Sequence, residues 1–289
     1  MLTREDFSKR IGDGLCLLDG ATGSNLRKAG MPLGVCAENW ILQNPQVLTG
    51  LQRQYVEAGS GVLYAPTFQA QPLGLKQAGL DEQTEKVNAQ LVALSRSVAG
   101  NALVAGDLTT MAAFMDSFDE SNFDRMVDCY RRQIKGLIDG GADFLAAETL
   151  MYPLEAEAIM TAAELEGAGS VLYTFSMQPD GALFSGRDAA PILQELEKAG
   201  AVAVGFNCVG ANEMLPGLVS RLRRGIKGPL VCKPNAGDPV IDSSGIAQYS
   251  MGADAFGEIL KSCKQMGATL LGGCCGTTPE HIAALRKKL

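Results

Sequence analysis

The stretch Thr269-Leu-Leu-Gly-Gly-Cys-Cys-Gly-Thr-Thr278 runs from a strand to the start of a helix and contains two adjacent cysteines. Its short apolar run predicts a strand, and Thr277, Thr278 and Pro279 are typical of the cap and first residue of a helix. The glycines allow close backbone approach at the tip of that strand. Cys274 and Cys275 therefore lie where a strand passes into the loop before its helix.

The same strand-then-helix unit occurs eight times in the 289 residues. The strands are nearly continuous apolar runs, as expected of strands covered on both faces, and are predicted at 15–21, 62–68, 102–108, 144–149, 171–177, 201–208, 229–236 and 269–275. Helices are predicted at 45–59, 81–99, 121–140 with Ser121 as N-cap, 153–167, 188–199, 211–224, 253–267 and 279–289. This alternation predicts the α/β class and a single (β/α)8 TIM barrel, with one domain over residues 1–289.

An open, doubly wound sheet is the alternative architecture. It would carry a glycine-rich phosphate loop after the first strand, whereas Asp19-Gly-Ala-Thr-Gly-Ser24 lacks the GxGxxG spacing. The barrel is therefore the preferred fold.

Composition excludes several classes of partner. Acidic residues outnumber basic ones, 32 to 25, and the formal net charge is −7. The basic runs 221–224 and 287–288 are interpreted as solvated helix surfaces, so we expect neither nucleic acid nor membrane as a partner. No signal segment and no apolar run of about 20 residues is present, which predicts a cytoplasmic protein.

The chemistry of a barrel of this class is expected at the carboxyl ends of its strands. The residues predicted at these strand ends are Asp19, Gly20, Thr67, Phe68, Asp107, Glu148, Thr149, Ser176, Asn207, Cys208, Asn235, Cys274 and Cys275. Cys208 ends the sixth strand, and Cys274 and Cys275 end the eighth, about 10 Å away along the sheet. Side chains that lean inward can span that gap.

Three cysteines at one end of the barrel predict a metal site. Adjacent cysteines seldom form a disulfide with each other, because the bond strains the peptide between them. Three thiolates with one open position are typical of catalytic zinc, and thiolates favour zinc over magnesium or calcium. The other five cysteines (Cys16, Cys36, Cys129, Cys232 and Cys263) are interpreted as buried apolar residues.

The segment Gly272-Gly-Cys-Cys-Gly-Thr-Thr-Pro-Glu-His281 strongly resembles the signature of the homocysteine S-methyltransferases, a family that includes the homocysteine-binding domain of cobalamin-dependent methionine synthase. Further motifs occur in the family's order: Asp19-Gly-Ala21, Glu38-Asn39, Tyr55-Val-Glu-Ala-Gly59, Thr67-Phe68, Glu148-Thr149, Gly205-Phe-Asn-Cys208 and Pro234-Asn-Ala-Gly237. The resemblance covers essentially the whole chain. It implies a (β/α)8 barrel, Zn²⁺ held by Cys208, Cys274 and Cys275, and homocysteine or a related small thiol as the methyl acceptor, giving methionine.

The resemblance also assigns roles to individual residues. Asp19 and Glu148 match the acidic pair that holds the amino group of homocysteine, and carboxylates are the partners that an ammonium requires. Backbone N–H groups near Gly20 could bind the substrate carboxylate. The remaining candidates for substrate binding are Thr67, Phe68 and Asn207. Asn235 is hypothesised to be a fourth zinc ligand before substrate arrives.

The methyl donor is the least determined part of the sequence interpretation. Asp107-Leu-Thr-Thr-Met111 stands where the family often has a Gly-Pro loop, and Lys233 stands where the methionine-synthase type often has an acid. No corrinoid-binding or folate-binding module is recognised, so the expected donor is a corrinoid, methylcobalamin, carried by a separate partner protein. An S-methylmethionine- or betaine-dependent enzyme is the alternative. A non-catalytic zinc- or thiol-binding barrel is the alternative from another class, and Asp19 and Glu148 beside three cysteines favour an enzyme over it.

Overall fold

A computed structural model describes residues 1–11, 15–243 and 246–289 of the chain. Eight parallel strands form one sheet in the order β1-β10-β7-β6-β5-β4-β3-β2. The strands are β1 Cys16–Leu17, β2 Val62–Tyr64, β3 Leu103–Thr109, β4 Phe144–Leu150, β5 Val171–Phe175, β6 Ala203–Gly210, β7 Leu230–Asn235 and β10 Leu270–Leu271. A parallel bridge between Leu18 and Val62 brings β1 beside β2, so the sheet curls into a nearly closed barrel. The predicted (β/α)8 fold is confirmed.

Each barrel strand is followed by a helix that packs outside it. The helices are α1 Arg4–Ile11, α2 Gly23–Lys28, α3 Ala37–Gln43, α4 Pro45–Ala58, α5 Pro72–Leu75, α6 Thr84–Ala99, α7 Phe123–Asp139, α8 Pro153–Leu165, α9 Ala189–Lys198, α10 Leu215–Arg223, α11 Ala253–Gln265 and α12 Pro279–Lys288. The sequence did not predict α1, α2, α3, α5 or the short antiparallel pair β8 Val240–Ile241 and β9 Ala247–Gln248. Within the described ranges, none of the helices has the length and apolar character that crossing a membrane requires.

The apolar core is divided by the sheet into an outer and an inner part. The outer part lies between the strands and the surrounding helices, and the inner part fills the barrel below the site. Helix α1 closes the amino-terminal end of the barrel, where the Phe7 and Phe144 rings pack edge to face with their centroids 4.9 Å apart. The Leu2 N–H donates to the carbonyl of Asp143, just before β4. One end of the barrel is thereby sealed, and the other is left for loops and chemistry.

Several predicted boundaries were wrong: the second strand ends at Tyr64 instead of residue 68, and α10 begins at Leu215 instead of residue 211. Two others differ for physical reasons that the contacts show. Ser121 is not the N-cap of α7: its N–H donates to the Asp119 carboxylate in a 3-10 turn that precedes the helix. The eighth strand ends at Leu271 instead of residue 275, because the backbone changes partners at the glycines. The Gly273 N–H donates to the Asp19 carbonyl, which follows β1 on one side. The Cys274 N–H donates to the Pro234 carbonyl of β7 on the other side.

Candidate metal and substrate site

The three cysteines predicted as metal ligands converge at the carboxyl end of the barrel. The sulfurs of Cys208, Cys274 and Cys275 all lie within 4.8 Å of one another, and those of Cys208 and Cys275 are 4.0 Å apart. Cys274 is buried, while the other two are half-buried and border the opening. Three sulfur atoms so arranged can bind one metal ion and leave one side of it open to a further ligand.

The turn that carries Cys274 and Cys275 is built on close contacts that only glycine permits. A Cβ at Gly273 would lie 2.3 Å from the Thr277 hydroxyl oxygen. That hydroxyl donates to the Cys274 carbonyl at 2.7 Å and accepts the N–H of Ala21 at 3.0 Å. The turn is thus tied to the loop after β1, and the thiols are held by backbone instead of by flexible side chains.

The far side of the turn is covered by Tyr249, which the sequence analysis did not single out. Its ring packs on Gly276, where a Cβ would lie 2.4 Å from the Tyr249 Cβ, and Gly276 has a φ of +80°. Burial raises the pKa of the Tyr249 phenol, and the neighbouring thiol of Cys275 adds to the rise. The phenol therefore stays neutral near pH 7 beside the cysteines.

Cys208 is held in an unusual backbone conformation by its neighbours. Cys208 has a φ of +58° and Thr149 a φ of +59°, a region that costs a non-glycine residue free energy. The fully buried Asn207 side chain accepts the Thr149 N–H and donates to the Thr149 hydroxyl, both at 2.7 Å. Its amide also lies 3.8 Å from the Cys274 sulfur. Asn207 therefore connects β4, β6 and the cysteine turn.

Crowding of the thiols separates their proton affinities. Contacts from Cys208 and Cys274 lower the pKa of Cys275 to about 3. Side-chain contacts with Cys274 and Cys275, together with burial, raise the pKa of Cys208 far above its ordinary value. The Cys275 thiolate is thus stabilised by the neighbouring protonated thiols. A bound metal cation would displace those protons.

A buried group of charged residues lies beside the thiols, in the barrel interior. Lys233 on β7 places its ammonium 2.9 Å from Glu148 Oε2 and 4.3 Å from the centre of the Tyr64 ring. Asp19, after β1, accepts the Tyr64 N–H at 2.8 Å. Asp107 on β3 completes the group and is 4% exposed.

The electrostatics of this group are dominated by burial. Burial raises the pKa of Asp19 to about 7, although Lys233 opposes the rise. Burial and the Glu148 charge raise the pKa of Asp107 well above its ordinary value. Burial alone would lower the pKa of Lys233, but Glu148 and Asp19 outweigh it and raise that pKa. Lys233 is therefore a fixed cation in the floor of the site.

Other predicted site residues hold the loops in place. The Thr67 hydroxyl donates to the Asp107 carbonyl at 2.8 Å and accepts its N–H at 3.1 Å, so it joins the loop after β2 to β3. Gly20 lies against the Tyr55 hydroxyl, which would be 2.6 Å from a Cβ there. Phe68 is half-buried in the same loop as Thr67.

Asn235 lies next to the cysteine turn, as the fourth-ligand hypothesis requires. Its Oδ1 accepts the Cys275 N–H at 3.0 Å. A metal bond from Asn235 would have to share that oxygen, which has two lone pairs. The single histidine, His281, lies instead in the cap of α12, where its Nδ1 accepts the Thr278 N–H.

The sequence analysis gave Lys233, Asp107 and Tyr249 no role in the site. Lys233 carried a usable signal, because a lysine inside an apolar barrel strand must find a buried partner. Asp107 was placed at a strand end without a role. Tyr249 gave no signal, since it follows β9 in a loop with no strand or helix pattern of its own.

Comparison with known proteins agrees with the fold and with the family resemblance of the sequence. The sequence profile described as homocysteine S-methyltransferase matches residues 16–289. Homocysteine S-methyltransferase 1 of Arabidopsis thaliana is 27% identical, with 99% of this chain and 96% of that protein covered. Methionine synthase of Mycobacterium leprae is 26% identical over 96% of this chain, which corresponds to 24% of that protein. The metallated form of the homocysteine methyltransferase MmuM from Escherichia coli superposes with a TM-score of 0.81 at 27% identity, covering 96% of this chain and 97% of that one.

Proposed function

The chain belongs to the homocysteine S-methyltransferase family and is a methyltransferase, and from that premise we propose that it transfers a methyl group to the thiol of homocysteine, giving methionine, with Zn²⁺ held by Cys208, Cys274 and Cys275. The observation that carries the proposal is the triangle of sulfurs within 4.8 Å at the carboxyl end of the barrel. A similar protein whose structure is described as metallated supports a metal in this fold.

The donor set fits zinc in both distance and chemistry. Tetrahedral zinc with Zn–S bonds of about 2.3 Å separates its sulfurs by about 3.8 Å, and the Cys208 and Cys275 sulfurs are 4.0 Å apart. Three thiolates leave one position for an incoming ligand, as catalytic zinc sites do. When bound there, zinc acts as a Lewis acid that lowers the pKa of an acceptor thiol below its free value of about 8.5.

The residues around the thiols supply orientation. Asn207 and the Thr277 hydroxyl fix the cysteines through direct hydrogen bonds to the neighbouring backbone, so that the sulfurs need little rearrangement. The carboxylates of Asp19 and Glu148 lie in the barrel interior, suited to an ammonium. The barrel interior below them is packed with apolar side chains, which excludes water from the reacting side.

We propose methylcobalamin on a separate corrinoid protein as the donor. A protein donor needs a surface to dock on, and exposed large apolar side chains occur in the loops after β1, β5, β6 and β7: Leu33, Val35, Phe184, Met214, Val240 and Ile241. The chain matches a methionine synthase over 24% of that protein's length. S-methylmethionine and betaine are the competing small donors.

The direct test is methionine formation by purified, zinc-loaded protein with homocysteine and each donor in turn: free methylcobalamin, S-methylmethionine and betaine. Turnover with methylcobalamin supports the proposal, and turnover with only a small donor replaces its donor. Cys208→Ser should lose both zinc and activity, whereas the matched variant Cys129→Ser, on α7 away from the site, should keep both. A Cys208→Ser protein with full zinc content contradicts the metal assignment.

A further inference from the structure

One buried carboxylate outside the group of sulfurs joins two of the loops that border the site. Glu155, in the first turn of α8, is fully buried. Its Oε1 accepts hydrogen bonds from the Thr110 hydroxyl and the Met111 N–H, both at 2.7 Å, in the loop after β3. Its Oε2 accepts the N–H groups of Met151 at 3.2 Å and Tyr152 at 3.1 Å, in the loop after β4. Four bonds from two loops therefore converge on one side chain.

Capping of α8 explains only one of these bonds. A glutamate at the third position of a helix ordinarily accepts the N–H of the N-cap residue, which here is Tyr152. The bonds to Met151 and to the loop after β3 go beyond that role. Burial raises the pKa of Glu155, and the hydrogen bonds from both loops oppose the rise. Because a buried carboxylate is costly unless its oxygens are bonded, the positions of both loops depend on this side chain.

Strand β4 is irregular where it meets the site. Its register against β5 shifts between Ala147 and Leu150, so Glu148 and Thr149 lie in the irregular part. Thr149 has a φ of +59°, a conformation that persists in a non-glycine residue only where the surrounding structure imposes it. Irregularities of this kind next to active sites re-aim side chains. The geometry at this strand end therefore depends on what restrains Thr149.

Two side chains restrain the strained segment from opposite sides. Asn207 bonds the N–H and the hydroxyl of Thr149, and Glu155 bonds the N–H of Met151 two residues later. Asn207 also directly precedes Cys208, whose φ of +58° lies in the same region. If the restraint at Glu155 is lost, the segment can relax at Thr149 and release Asn207, which displaces the Cys208 sulfur.

We propose that Glu155 is a positioning residue for the metal site: it keeps Thr149 in its left-handed conformation and thereby holds Asn207 and Cys208 in place. The inference rests on the proposed function, since it takes zinc as the ligand of Cys208. Glu155 acts through Thr149 and Asn207, and its own carboxylate is used by the two loops. Its loss should therefore be felt at the metal, and relief of the strain at Thr149 should cancel that effect.

The experiment compares Glu155→Gln in two backgrounds, wild type and Thr149→Gly. The amide keeps the shape of the side chain but has one acceptor oxygen instead of two, so an N–H group of one loop loses its acceptor. Zinc affinity, from competition with a chromophoric chelator, should fall about 10-fold in the wild-type background, at the lower end of the effect of outer-sphere partners. Glycine adopts a positive φ without strain, so in the Thr149→Gly background the same substitution should change zinc affinity by no more than about twofold.

Glu38→Gln is the matched control. Glu38 is also a buried glutamate, and it accepts the Gln69 N–H at 2.8 Å and the Cys36 S–H at 3.4 Å, in the loops after β1 and β2. This variant should lower the free energy of unfolding in denaturant titration and leave zinc affinity near wild type. Glu155→Gln should lower both quantities.

The outcomes separate this inference from the proposed function. Equal losses of zinc affinity from Glu155→Gln in both backgrounds, or no loss in the wild-type background, overturn the inference alone, and so does the same loss in Glu38→Gln. Glu155→Asp, which shortens the side chain and keeps its charge, serves the same comparison if the glutamine variant does not fold. Wild-type protein that binds no zinc overturns both proposals.

Discussion

Replacing Asn207 with alanine should weaken metal binding more than it weakens the fold. The variant removes two hydrogen bonds of 2.7 Å to Thr149, one to its N–H and one to its hydroxyl. Leaving the half-buried Thr149 N–H unpaired costs about 1 kcal/mol of unfolding free energy or more. The same contacts hold the left-handed backbone at Thr149 and, next to Asn207, at Cys208. Zinc affinity should therefore fall about 10- to 100-fold, as it does when outer-sphere partners are lost.

A second asparagine provides the matched control. Asn88 is also fully buried, and its amide donates to the carbonyls of Ala70 and Thr84 at 2.7 and 2.8 Å, among the helices away from the thiols. Asn88→Ala should lower the free energy of unfolding by a similar amount without changing zinc affinity. Denaturant titration of the metal-free proteins gives the first quantity, and competition with a chromophoric chelator gives the second. Equal zinc affinities for Asn207→Ala and wild type would refute the reasoning.

Three further predictions concern the turn, the acids and the barrel floor. Gly276→Ala should destabilise the protein in denaturant titration and weaken zinc binding, because the new Cβ would lie 2.4 Å from Tyr249. Gly141→Ala is the control for backbone strain alone, since Gly141 has a similar φ of +82° with open space around it, and equal losses of unfolding free energy in the two variants would exclude the clash. Burial raises the pKa of Asp19 from 3.8 to about 7, so its protonated form stabilises the fold at low pH, and this stabilisation is lost as the pH rises through about 7. Asp19→Asn should therefore remove up to about 4 kcal/mol of the fall in unfolding free energy between pH 4 and pH 7. An unchanged pH profile of the metal-free protein would contradict the burial argument. Phe7→Ala should cost about 3–5 kcal/mol of stability while zinc affinity is kept, since the ring packs on Phe144 at the opposite end of the barrel; parallel losses of both would contradict the separation of floor and site.

The barrel could be predicted because parallel strands buried on both faces appear in sequence as apolar runs at regular spacing. The same pattern placed Cys208 and Cys274 at strand ends, from which their convergence followed. Helix α1 could not be predicted in this way: it is a short polar helix whose buried residues are only Phe7 and Ile11, and its role depends on closing a barrel that the rest of the chain forms.

The side-chain contacts of the site were beyond sequence reasoning. Lys233 and Glu148 are 85 residues apart and stand on strands separated by two others, so their pairing depends on barrel curvature. The bonds from Asn207 to Thr149 likewise cross β5 and depend on register shifts in the strands that carry them. The assignment of Thr67 and Asn207 to the substrate stays a prediction, and the bonds of their polar groups to neighbouring residues could not be read from the sequence.

The central claim is that Cys208, Cys274 and Cys275 hold one zinc ion that accepts the substrate thiol as a further ligand. Zinc K-edge absorption spectroscopy measures the number of sulfur neighbours directly, without and with homocysteine. The account predicts three sulfurs at about 2.3 Å in the free protein and four after homocysteine is added. Fewer than three sulfurs in the free protein, or a sulfur count that homocysteine leaves unchanged, would contradict it.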